Sequence, residues 1–143
     1  MSQALKIFTI GFTKKSLRDF ITLLQEAGVE KVIDVRLNNT SQLAGYAKKD
    51  DLAFVLSLVG IGYEHHTELA PTEELMNGFK QKKISQTEFE AAFNQLMDER
   101  QPRLEERGKV CLLCSEEKPA ACHRRLVAEY FTRLMPGATV THL

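Results

Sequence analysis

The sequence predicts an α/β domain of the three-layer, Rossmann-like kind: a mostly parallel sheet of about five strands with helices on both faces. Three observations carry this. Short and almost continuously apolar runs, such as LKIFTI and KVCLLC, alternate along the chain with stretches whose apolar residues recur at helical spacing. Strands without polar alternation need cover on both faces, which parallel sheets receive from their crossover helices. Finally, 143 residues without an internal repeat or a linker-like stretch make a single domain, residues 1–143. A domain of that length buries about two-thirds of its unfolded surface around one core.

The elements follow in order. Residues 5–10 (LKIFTI) form a buried strand ending at Gly11. Residues 16–27 carry Leu17, Phe20, Ile21, Leu23 and Leu24 at helical spacing, with Gly28 as the stop. Residues 31–36 (KVIDVR) are a second strand, and the polar, aperiodic residues 37–46 an exposed loop. Asp50 or Asp51 caps a helix carrying Leu52, Val55, Leu56 and Val59, ended by Gly60. Residues 61–66 are a short third strand. Two helices come next, over 72–82 and from 85 to about 99, the second opened by the capping box Ser85-Gln-Thr-Glu88. Residues 109–114 (KVCLLC) are a fourth strand, 119–134 a long helix stopped by Pro136-Gly137, and 138–142 a last strand. Right-handed crossovers allow a strand order such as 3-2-1-4-5, with its reversal between strands 1 and 4. Ligands sit beyond the carboxyl ends of such strands, at the reversal.

Bulk properties narrow the function classes. Net charge is zero and 27% of residues are charged, so nothing marks a broad footprint for nucleic acid or an anionic membrane. No apolar run approaches the ~20 residues of a membrane span, and that at the N-terminus is too short for a signal peptide. Three cysteines without an export signal then predict the cytoplasm and reduced thiols.

The stretch LLCSEEKPAACHRR, residues 112–125, places His123, Arg124 and Arg125 in the first turns of a predicted helix, the end where the dipole favours negative charge. Two readings compete. Glu116 and Glu117 pair with Arg124 and Arg125 in a surface network worth little, or Arg124 faces a bound anion at the helix start. Asp34 and Arg36 can likewise pair locally, although a charged Asp within an apolar strand is costly unless it serves something. Cys111 and Cys114 lie three apart on a strand and face opposite sides, which disfavours a redox pair and leaves Cys111 in the core. Cys114 and Cys122 admit three readings. They are plain core residues (Cys122 shares a face with Leu126 and Tyr130), or reactive thiols, or metal ligands with His123 and His65. The close paired spacings of structural zinc sites are absent, so no metal ligand is assigned and the expected zinc or iron content is below one equivalent. A Cys-x5-Arg loop is absent too.

Several of these stretches match one pattern. Thr9-Ile-Gly-Phe-Thr13, Asp34-Val-Arg36, Tyr63-Glu-His-His-Thr-Glu-Leu69 and Leu112-Leu-Cys-Ser-Glu116…Cys122-His-Arg124 stand in the order of T-I-G-H-S, D-V-R, Tyr-x-His-x-Pro-x-Leu and L-L-C-x-E…C-H-R. The chain therefore resembles domain-of-unknown-function family 488. The resemblance implies an α/β domain with one shared site, not a known reaction. Phe12 stands where the family has histidine, Thr13 where it has serine and Thr67 where it has proline. Loss of that histidine bears on turnover. The expected ligand-binding residues are Gly11, Asp34, Arg36, His65 and Arg124; the expected catalytic residues are Cys114, Glu116, Cys122 and His123. The expected partner is a small phosphate- or carboxylate-bearing molecule, a nucleotide or nucleic-acid component among them, handled by an enzyme or held by a non-catalytic module. Cofactor and oligomeric state are left open.

Overall fold

The computed structural model describes residues 4–38, 45–104, 108–115 and 122–143. Five strands form one sheet: β1 (Leu5–Gly11), β2 (Lys31–Asp34), β3 (Gly62–His65), β4 (Gly108–Cys114) and β5 (Thr139–His142). Every pairing is parallel, in the order β3-β2-β4-β1-β5. The order 3-2-1-4-5 is thereby corrected: β4 lies between β2 and β1. The reason lies in the strands themselves. KVCLLC is the most apolar of them and is buried over its last five residues, so it takes the centre, whereas β3 and β5 are half-exposed and take the edges. Register aligns Gly11 with Cys114 and Asp34 with His65, bringing the carboxyl ends level.

Among the described residues five α-helices accompany this sheet: α1 (Leu17–Ala27), α2 (Lys49–Leu58), α3 (Glu73–Lys80), which packs on α4 (Gln86–Arg100), and α5 (Arg124–Leu134). Local chemistry sets most of their ends. The Ser16 hydroxyl accepts from the Asp19 amide at 3.1 Å, and the Ser85/Glu88 capping box forms as predicted. For α2 the cap is Lys48, without a side-chain hydrogen bond; Asp50 and Asp51 fall in the first turn, where their charge still suits the dipole. Helix α5 starts at Arg124 instead of residue 119, with His123 at the cap position. Pro119 lies outside the described residues. Two 3-10 turns, Gly45–Ala47 and Thr67–Leu69, occupy positions without a periodic signal. The first corrects part of the exposed-loop reading at its end: Tyr46 is half-buried, its ring 5.4 Å from that of Phe20, and Ala47, the next residue after the loop, is buried. Residues 39–44 of that loop lie outside the described set.

Alternation along β4 feeds two cores. Val110, Leu112 and Cys114 join Phe93, Met97, Leu126 and Phe131 on the face of α4 and α5. Cys111 and Leu113 join Phe20, Leu24, Leu52 and Leu56 on the face of α1 and α2. The domain is thus a three-layer α/β sandwich. Its central strand is flanked by β1 and β2, whose outgoing chains turn to the opposite face from that taken after β4. The reversal crevice therefore opens on both sides of the end of β4. No helix among the described residues is long and apolar enough to cross a membrane.

Gly28 closes α1 at φ 72°, the left-handed region that L side chains avoid, and a Cβ there would lie 3.0 Å from the Lys109 amine. Gly28→Ala should cost about 1–2 kcal/mol from the backbone alone. Urea unfolding checks this, and an unchanged midpoint would contradict it.

Candidate functional site

Arg36 follows β2 and is 2% exposed. Its guanidinium donates from Nε to Asp34 Oδ1 at 2.8 Å and from Nη2 to Oδ2 at 2.7 Å, and its backbone amide donates to Oδ1 at 3.1 Å. The Tyr63 hydroxyl donates to Oδ2 at 2.6 Å. Burial pushes the Asp34 carboxyl up, but the Arg36 hydrogen bonds and charge, with Tyr63, outweigh it and hold the group below its ordinary value. The local pairing read from Asp34-Val-Arg36 therefore forms, as a buried pair. Beneath the guanidinium lies the Phe12 ring, 5.2 Å from Cζ to centroid. His65 Nε2 donates to the Arg36 carbonyl at 2.7 Å. Among the described residues Arg36 Nη1 has no hydrogen-bond partner.

The loop after β1 is tied to the end of β4 by the Thr13 amide and hydroxyl, both donating to the Ser115 carbonyl at 3.1 and 2.6 Å. Cys114, the last residue of β4, is joined to Cys122 just before α5 as a disulfide, which corrects the expectation of three reduced thiols; Cys111 alone is free. The physical reason is the return of the chain: α5 begins beside the strand end that the chain has just left. Cys111 faces the other core, as strand alternation predicts, and burial pushes its thiol far up.

His123 is 4% exposed and donates from Nε2 to the Val35 carbonyl at 2.6 Å. A carbonyl only accepts, so the proton sits on Nε2 and the Nδ1 lone pair points toward the sulfurs, 3.7 Å from Cys114 and 4.0 Å from Cys122. Burial, reinforced by the Arg124 charge, lowers the imidazole to about 4 against the opposing effects of Val35 and Asp34. It is neutral at neutral pH. The Phe93 ring packs against it, centroids 5.4 Å apart.

Arg124 is fully buried, which corrects the reading of its charge as part of a surface network. Arg125 does lie in a surface network, but with other partners: its guanidinium contacts Glu90 and Glu129 at 2.8 Å each. Glu116 and Glu117 lie outside the described residues.

The predicted residues Gly11, Asp34, Arg36, His65, Cys114, Cys122 and His123 thus meet at the carboxyl ends of β1, β2, β3 and β4, with Arg124 directly after His123. Besides Phe12, named only as a departure from the family pattern, three participants were not singled out as site residues: Tyr63, Phe93 and the Val35 carbonyl. Tyr63 had a signal, since it opens the matched Tyr-x-His segment. The other two had none: one is a core phenylalanine and the other a backbone atom. A groove between α3 and α4, lined by Leu75, Gly78, Ile84 and Leu96 among others, holds none of the predicted residues.

These features define a class: a parallel-sheet α/β domain whose central strand ends in a buried cluster of disulfide, imidazole and guanidinium groups. The family model described as "Domain of unknown function DUF488" matches residues 16–131, most of the chain, and the chain belongs to that family. No curated protein and no solved structure matches it.

Proposed function

We propose that this chain is an enzyme that binds a small molecule bearing a phosphate or carboxylate group at the carboxyl edge of the sheet. A nucleotide or nucleic-acid component fits that class, and the cysteines of the same edge supply the chemistry. The observation that carries the reading is the presentation of Arg36. Asp34 grips one side of its guanidinium, Phe12 supports its face, and Nη1 is left without a partner among the described residues. A guanidinium held rigid in this way binds an anion with little further ordering cost. Arg124 adds a second buried positive charge, felt at His123. In this reading Cys114 or Cys122, once reduced, is the nucleophile or redox group, and Glu116 or His123 moves protons. The chain works in the cytoplasm, where thiols are kept reduced, with no membrane partner.

A second reading, a non-catalytic module that senses such an anion, is favoured by one observation. The position where the family has histidine holds Phe12, which packs under Arg36 and carries no proton.

The test is equilibrium unfolding with inorganic phosphate, simple carboxylates and nucleoside phosphates. Wild type is compared with Arg36→Lys, which keeps the charge beside Asp34 but loses the planar fork. Matched salt is required, because phosphate strengthens burial whether or not a site exists. A ligand at 100 times its Kd should add about 2.7 kcal/mol to wild type, and the variant should lose most of that increment. Equal gains in both proteins would remove Arg36 from the reading. A ligand that stabilises the reduced protein yet is recovered chemically unchanged favours the module.

A further inference from the structure

We propose that Cys114, Cys122 and His123 form, in the reduced protein, a binding site for a soft divalent metal of the zinc class. The ligand atoms of these three buried residues all lie within 4.8 Å of one another. Two ligands of one tetrahedral zinc, with Zn–S of about 2.3 Å and Zn–N of about 2.0–2.1 Å, stand about 3.6 Å apart. The separations of His123 Nδ1 from the two sulfurs, 3.7 and 4.0 Å, are close to that spacing.

The second observation is independent of distance. A metal-binding histidine commonly donates its other ring N–H to a carbonyl or carboxylate, which fixes the tautomer and aims the ligand nitrogen. His123 Nε2 does this to Val35, whose own amide donates to the Leu113 carbonyl at 3.0 Å. The hydrogen bond from Val35, directly after β2, to β4 thus fixes the carbonyl that aims the lone pair of Nδ1 at the sulfurs. Thiolates and a neutral imidazole together select zinc-class ions over magnesium or calcium. Three protein ligands among the described residues are one fewer than a closed structural site uses, the pattern that leaves a position for water or a substrate oxygen.

The disulfide and the metal exclude each other. A thiol reductant breaks the Cys114–Cys122 bond with two electrons, giving two thiols while the reductant becomes its own disulfide. The metal then displaces the two thiol protons to solvent. The chain lacks the close paired spacings of structural zinc sites; instead one ligand comes from a strand end and two adjacent ones from a helix start. The inference goes beyond the anion chemistry and does not depend on it, since it is tested with metal alone.

The experiment titrates the full chain with Co2+, after reduction by excess dithiol and anaerobic desalting, and then displaces the Co2+ with Zn2+. One equivalent should bind with thiolate-to-cobalt charge-transfer absorption, and the oxidised protein should show none. Cys122→Ser should weaken binding about 100-fold or more, beyond the 10–100-fold range of outer-shell changes. A second measurement needs no variant: Zn2+ should slow alkylation of Cys114 and Cys122 in the reduced wild type, and a chelator should restore the rate. Reduced wild type that binds well below one equivalent overturns the proposal. So do a folded Cys122→Ser that binds as wild type does, alkylation indifferent to Zn2+, and a disulfide that the dithiol does not open.

Discussion

Arg36→Ala should destabilise the domain by about 3–5 kcal/mol, because it leaves the buried Asp34 carboxylate without its countercharge. Asp34 is fully buried and both of its oxygens accept from Arg36, so truncation strips it of a bidentate, charged partner. Asp34→Asn should cost a similar amount by the converse route, a buried guanidinium facing a neutral amide. Its loss should also depend on pH with a definite sign. The folded carboxyl is held below its ordinary value, so the unfolded chain takes up a proton first as pH falls. The contribution of Asp34 is therefore fully present above its unfolded value of about 4 and fades as pH drops through the lowered folded value. Urea unfolding between neutral and acid pH should show wild type and Asp34→Asn far apart at pH 7 and converging in acid. A constant gap, or none at pH 7, would mean that the pair contributes nothing through its charge. Tyr63→Phe removes one hydrogen bond to the same carboxylate and should cost only about 1 kcal/mol.

Phe93→Ala should cost about 3–5 kcal/mol, the usual range for emptying an aromatic site in a core. Phe93 is fully buried on α4, stacked on Phe89 at 6.1 Å and tilted against the His123 ring at 5.4 Å. The substitution therefore opens a void and also removes the packing that holds the imidazole. Denaturant titration should show a lower midpoint with unchanged slope, the mark of lost stability in a native state of unchanged extent. Phe93→Leu should lose less, since most of the volume is kept. A change below 1 kcal/mol for Phe93→Ala would show that α4 relaxes into the gap.

Some of this was legible before any fold. Ser16, Gly28 and the Ser85/Glu88 box act within four residues of themselves, so their chemistry is written in adjacent letters and the helix ends follow. Asp34 and Arg36 are two residues apart, and their pairing was one of the readings their spacing allowed. The start of α5 was less legible. A proline and two alanines before Cys122 look helical to any local rule, yet the described helix begins only at Arg124.

By itself the sequence determined the class of the fold, the alternation of strand and helix, the opposite facing of Cys111 and Cys114, and which residue types could do chemistry. Those properties depend on period and on neighbours a few residues away. Tertiary structure decided that β4 lies between β2 and β1, because strand order depends on pairing between runs far apart in the chain, a competition that the apolarity of each run biases but does not fix by itself. It alone decided that Arg124 is buried while Arg125 meets Glu90, 35 positions earlier in the chain. And it alone brought the Val35 carbonyl to His123, and so aimed Nδ1 at two sulfurs. A hydrogen bond across 88 residues has no trace in the local pattern, since it exists only once β2, β4 and α5 have packed together.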